Sequence, residues 1–166
     1  MENIHLIINK PVGYTSSSTA PSIFDLLDNT HNVSSVLVEL PPTLYVIDEL
    51  DTQSEGLLVI ADTLTQKEKL TSEYEVTIDK YLSPQALVLL KKGLHTNEKS
   101  IEGITVLEEK HKGKRSVVKI EAEKTNDTEI RIMFETIGYH VVGLRRTRLG
   151  QYKLGVLSVG KWKIVS

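Results

Sequence analysis

There is no cysteine among the 166 residues, and that absence removes disulfides, thiolate nucleophiles and cysteine-based zinc sites together. It fits a reducing compartment. The five histidines, His5, His31, His95, His111 and His140, are scattered without ligand spacing, so metal binding has no support. No apolar run reaches the length of a membrane span, and Met1-Glu2-Asn3 lacks the basic start of a secretory signal. Internal repeats and low-complexity segments are missing too. These exclusions leave an expected cytoplasmic protein without membrane, metal or organic cofactor. Residues 1–166 form one expected domain with room for two lobes, able to bury roughly 70% of its unfolded surface.

The net charge of −2 hides an asymmetry. From Lys110 onward 13 Lys and Arg face 5 Asp and Glu, while the preceding part carries 7 against 17. A polyanion would meet the C-terminal third first. Chance clustering of surface charge is the alternative explanation.

The most informative stretch is ELDTQSEGLLVIAD, Glu49 to Asp62. Gly56 to Ala61 is too short for a free-standing helix and predicts a buried strand, which places Asp51 in the loop leading into a rigid element. Asp51, Gln53, Glu55 and Asp62 also echo a calcium loop. Gln53 stands where a carboxylate is needed, however, and the flanks look like strands rather than helices.

Taken in order, His5 to Ile8 predicts a strand stopped by the turn Asn9-Lys10-Pro11-Val12-Gly13-Tyr14. Thr15 to Thr19 is a hydroxyl-rich loop, and Ser22 caps a short helix containing Ile23, Phe24, Leu26 and Leu27. Strands are expected at Val33 to Leu40 and Leu44 to Ile47, with Pro41-Pro42 between them. Thr63 to Ser72 is weakly helical, and Tyr74 to Asp79 alternates as a strand does. Ser83-Pro84 starts a helix through Leu90 that Gly93 closes. Ile104 to Leu107 and Ser116 to Ala122 read as paired strands across a basic connection, Lys110 to Arg115. Asn126 with Glu129 makes a capping box for an amphipathic helix, Thr128 to Ile137, with Arg131 at the edge of its apolar stripe. Strands at Tyr139 to Leu144, Tyr152 to Leu157 and Lys161 to Val165 close the chain, with Arg145, Arg146 and Arg148 between the first two. His140 and Trp162 are assigned to packing. The mixture is α+β with a mostly antiparallel mixed sheet flanked by helices.

Four separated pieces, in order, resemble the pseudouridine synthases that act on ribosomal RNA. They are Asn9-Lys10-Pro11-x-Gly13-Tyr14; Leu50-Asp51 through Ser54-x-Gly56-Leu57-Leu58; Tyr74 opening its strand; and Ile130-Arg131-Ile132-Met133-Phe134 through Leu144-x-Arg146 and Leu149-Gly150 to Trp162. The resemblance implies a catalytic domain of two lobes around a cleft, without a preceding RNA-binding module. It implies isomerisation of uridine already in RNA: the bond from ribose to N1 breaks and one to C5 forms. Asp51 would act at the ribose as nucleophile or proton acceptor. Tyr74 would stack on the flipped base, Arg131 would pair with the aspartate, and Lys10 and Arg146 would contact substrate. RNA, by resemblance ribosomal RNA, is the expected partner of a monomer, with the target base drawn from its stack.

Three positions depart from the family pattern. Glu49 stands where an arginine is usual, Ser72-Glu73 replaces a lysine before the tyrosine, and Thr125-Asn126-Asp127-Thr128 lacks a glycine and arginines. In an extended segment Glu49 and Asp51 would lie about 7 Å apart and repel by roughly 1 to 2 kcal/mol. An arginine at about 4 Å would contribute roughly 4 kcal/mol the other way. Each loss removes positive charge from the RNA path. The alternative function is therefore a catalytically inactive relative acting as an RNA-binding or ribosome-associated protein. A protein-interaction domain that binds no nucleic acid is the remoter one.

Overall fold

The computed structural model describes residues 3–64 and 70–165. In chain order these form β1 (His5–Lys10), a 3-10 turn (Ile23–Leu26), β2 (Tyr45–Ile47), β3 (Glu55–Ala61) and β4 (Ser72–Ile78). Then follow α1 (Pro84–Lys92), β5 (Leu94–His95), β6 (Ser100–Ile101), β7 (Thr105–Lys112), β8 (Arg115–Ala122) and α2 (Asp127–Thr136). The chain closes with β9 (Val141–Leu149), β10 (Tyr152–Lys153) and β11 (Trp162–Ile164). The fold is α+β. Two compact units are present, Met1–Glu68 with Thr147–Ser166 and Lys69–Arg146.

In the first unit β3 is the central strand. It pairs antiparallel with β1 on one side (Leu6↔Ile60, Lys10↔Gly56) and β2 on the other (Tyr45↔Ala61, Ile47↔Val59). Leu57, Leu58, Val59, Ile60 and Ala61 are fully buried, which is why this run is continuously apolar rather than alternating. β11 adds to the far edge of β1, with Ile8 opposite Trp162. The Trp162 ring is fully buried, and its Nε1 donates to the Asp28 carbonyl oxygen at 3.0 Å. Nearby, the exposed Asp28 carboxyl accepts from Thr30 Oγ1 and His31, which hold its pKa at about 2.

In the second unit β8 lies between β4 (Tyr74↔Ile120, Ile78↔Ser116) and β7 (Val106↔Ile120, Lys112↔Arg115), all antiparallel. Both helices begin as their sequence signals require. Ser83 Oγ accepts from the Ala86 amide ahead of Pro84, and Gly93 ends α1 at φ +85°. Asn126 Oδ1 accepts from the Glu129 amide at 2.8 Å while Glu129 Oε1 accepts from the Asn126 amide at 3.3 Å, a complete capping box. Ile130, Met133 and Phe134 of α2 are fully buried.

Several expected elements take another form. Val33 to Leu40 is not a strand. The side chain of Asn29 bonds both the amide and the carbonyl of Val38, and that of Asn32 bonds the Ser34 amide and the Val36 carbonyl. Side-chain hydrogen bonds take the backbone's partners, and Val36 and Leu37 stay exposed. Strand β9 runs through Leu149, so Arg145, Arg146 and Arg148 sit within a strand instead of a connection. The strand expected at Tyr152 to Leu157 stops at Lys153. β7 extends to Lys112 and narrows the basic connection to a two-residue turn. His140 is exposed, not packed; its amide donates to Asp79 Oδ1. Of the weakly helical reading of Thr63 to Ser72, residues 65–69 lie outside the described residues, and at its described ends there is no helix, Ser72 already opening β4.

Glu109 anchors the turn end of this hairpin. Its carboxylate accepts from the Leu82 amide at 2.9 Å and from Ser116 Oγ, with His111 Nε2 at 3.6 Å. Burial pushes its pKa up, but the Leu82 and Ser116 hydrogen bonds and the nearby His111 together hold it below the ordinary glutamate value of 4.5. A depressed carboxyl contributes its stability above the ordinary value and loses it as pH falls through the folded value. Glu109→Ala should therefore cost about 1 to 2 kcal/mol at pH 7 in urea denaturation. That deficit should shrink progressively below pH 4.5.

Candidate active site

Asp51 sits in the loop that joins the paired strands β2 and β3. Leu50, just before it, is buried, and the Ser16 hydroxyl holds both of its backbone groups, donating to the Leu50 carbonyl at 2.9 Å and accepting from its amide at 3.3 Å. After it, the Ser54 amide donates to the Asp51 carbonyl at 3.0 Å, and Asp51 Oδ1 accepts from the Gln53 amide at 3.4 Å. The Gly13 amide donates to Thr52 O at 2.8 Å. The carboxylate is half-buried on a backbone that is tied at nearly every step.

The strongest tie is Lys10. Antiparallel register places it opposite Gly56, at the mouth of the Asp51 loop. Its side chain is fully buried, and Nζ donates to three carbonyls: Pro11 at 2.9 Å, Thr52 at 3.2 Å and Ser54 at 2.6 Å. A buried ammonium needs such oxygens, and here they belong to the turn that carries Asp51. Ser54 is fully buried with no hydrogen-bond partner for its Oγ among the described residues. Glu49 is exposed, beyond a left-handed Asp48 at φ +60°.

The remaining candidates lie in the second unit. Tyr74 is buried on the face of β4 it shares with Val76 and Ile78. Arg131 is half-buried on α2, and its Nε and Nη2 are shut off from solvent without a hydrogen-bond acceptor among the described residues. Such donors suit a carboxylate or phosphate. Arg146 is fully buried on β9. Its neighbour Arg145 pairs with Glu75 at 3.0 Å, and in the first unit Arg148 donates to the Gly150 carbonyl at 3.1 Å.

Sequence reasoning overlooked Ser16 and Ser54. Ser16 lay in a hydroxyl-rich loop whose partner, 34 residues on, had no local signal. Ser54 was part of the Asp51 motif but had no assigned task. Among the described residues no group of three or more His, Asp or Glu is arranged to hold a metal, and no helix is long and apolar enough to cross a membrane.

A family model described as RNA pseudouridylate synthase matches residues 4–136. An uncharacterized RNA pseudouridine synthase of Aquifex aeolicus is 23% identical over 96% of this chain and 65% of its own length. A dual-specificity RNA pseudouridine synthase, RluF of Escherichia coli, is 25% identical over 98% of this chain and 54% of its own. The chain thus spans between half and two thirds of the length of these two relatives. Among solved structures, a pseudouridylate synthase matches the fold at a TM-score of 0.77 and 19% identity, covering 99% of this chain and 71% of that one.

The role of Lys10 can be read from stability. Lys10→Met removes the Nζ donor from the Pro11, Thr52 and Ser54 carbonyls, of which Thr52 keeps the Gly13 amide, and should cost about 2 to 4 kcal/mol in chemical denaturation. Amide exchange at Ser54 should accelerate with it. A lysine serving only as an RNA contact would leave both unchanged and lower RNA affinity alone.

Proposed function

The chain belongs to the RNA pseudouridylate synthase family, and we propose that it isomerises specific uridines in RNA, ribosomal RNA foremost, to pseudouridine. The observation that carries this reading is the half-buried Asp51 carboxylate on a turn held by Lys10, Ser16 and Gly13. A reacting carboxylate gains most when its backbone costs nothing to organise at the moment of reaction.

In this reading Asp51 attacks or deprotonates the ribose of a nucleotide drawn out of its stack. The bond from C1′ to N1 breaks, the base turns, and C1′ bonds to C5. The C5 proton is then lost and N1 is protonated, so the reaction is balanced as an isomerisation. Tyr74 meets the flipped base, and Arg131 and Arg146 supply positive charge to carboxylate or phosphate. Lys10 works as a positioning residue beneath the loop.

A second reading, a non-catalytic RNA-binding relative, is favoured by the exposed Glu49 two residues before Asp51. One experiment separates the two. Ribosomal RNA lacking prior pseudouridine is incubated with wild-type protein and with Asp51→Asn. Conversion at discrete uridines should fall at least about 10³-fold in the mutant, with RNA binding retained. Absence of conversion by both proteins, with equal binding, would establish the non-catalytic reading.

A further inference from the structure

The basic connection between β7 and β8 is a single exposed projection. Residues 110–115, Lys-His-Lys-Gly-Lys-Arg, are all exposed and contain no acid. Gly113, at φ +62°, closes the turn. Lys112 stands directly opposite Arg115 in register, with Lys114 between them in the turn. Like charges facing each other across a strand pair repel. Of the neighbouring acids, Glu108 faces Lys110 at 3.8 Å, and Glu109 is taken up by Leu82, Ser116 and His111. Lys112, Lys114 and Arg115 have no carboxylate among these contacts.

The hairpin is polarised. Its other end carries three acids, Glu102, Glu121 and Glu123, against one base, Lys124, around a surface pocket. Seven residue steps separate that end, at Thr105↔Glu121, from the tip at Lys112↔Arg115. At about 3.4 Å per residue this is roughly 24 Å, several times the screening length of about 8 Å at physiological salt. The acidic end therefore does not cancel the field at the tip.

The tip is also held in place. His111 stacks on Tyr81 with ring centroids 3.6 Å apart and planes within 4°, and the Tyr81 hydroxyl donates to the Gly113 carbonyl. Its charges project from a fixed backbone, which lowers the ordering cost of binding.

We propose that this hairpin tip is a second RNA-binding site, taking the phosphate backbone that flanks the reacting nucleotide through Lys112, Lys114 and Arg115. The site rests on the RNA reading given above and extends it. Tyr74 pairs with Ile120 of β8, five residues from Arg115, or roughly 17 Å along the strand. Lys112 and Arg115 stand on the opposite face of the strand pair from Tyr74 and Ile120, so an RNA with its target base at Tyr74 reaches them around the open end of the hairpin. Backbone contacts of this kind position RNA without reading its sequence.

The test uses a fluorescein-labelled RNA stem-loop with a uridine-containing loop, titrated between 50 and 200 mM KCl. The variant combines Lys112→Gln, Lys114→Gln and Arg115→Gln; Lys114→Gln alone serves as a milder change in the open turn. Circular dichroism melting checks that both are folded. The triple variant should bind about tenfold or more weakly, with the slope of log affinity against log salt shallower by about 2. Lys114→Gln should account for roughly a third of that change, and uridine conversion should show a raised KM with kcat kept. Folded variants with wild-type affinity and slope would overturn the hairpin site while leaving the catalytic reading standing. A wild-type protein that shows no salt-dependent RNA binding would sink both.

Discussion

A single buried ammonium organises the first unit. Lys10 is sealed from solvent at the end of β1, and its charge is accommodated by the carbonyls of Pro11, Thr52 and Ser54. Burying an ammonium costs several kcal/mol unless oxygens surround it, and the loop around Asp51 turns these carbonyls inward to supply part of that surround. Chain register makes this possible, because β1 pairs with β3 so that Lys10 comes opposite Gly56. Ser16 and Gly13 hold the loop from its other side. The candidate catalytic carboxylate is thus fixed by backbone geometry, and that support does not depend on the charge of Glu49, which is exposed.

The second unit has a different logic. Its core is the buried face of β4 and β8 together with the apolar stripe of α2, and its charges are sorted along the β7–β8 hairpin. Acidic residues gather at one end and basic residues at the other. The Tyr81–His111 stack and the Glu109 hydrogen bonds stiffen the basic end. Arg131 adds buried guanidinium nitrogens that lack an acceptor. In the first unit a cation serves the fold; in the second, cations remain available to an anionic ligand.

Legibility followed the range of the forces involved. Strand β3 and the helices α1 and α2 were readable because their signals are local: an unbroken apolar run, a Ser-Pro start with a glycine stop, and a capping box three residues long. Val33 to Leu40 misled because two asparagines divert its backbone hydrogen bonds. β9 was read too short because its arginines look like loop residues, although Arg145 finds Glu75 across the sheet and Arg146 is buried. His140 was read as packed, but nothing local reveals that its position falls on an exposed residue just before β9.

By itself the sequence determined the order of the motifs around Asp51, Tyr74 and Arg131, the capped helix starts and the charge asymmetry toward the C-terminal third. Those are properties of neighbouring residues, and short-range sterics and hydrogen bonding decide them. Only the tertiary structure decided that Lys10 supports the Asp51 loop, that Tyr74 and Arg146 are buried, and that Tyr81 holds the basic hairpin tip through His111 and Gly113. Lys10 and the Thr52 and Ser54 carbonyls are 42 and 44 residues apart, and Tyr81 reaches Gly113 across 32. Contacts over such separations arise from strand register and packing, and no local pattern of residue types encodes them.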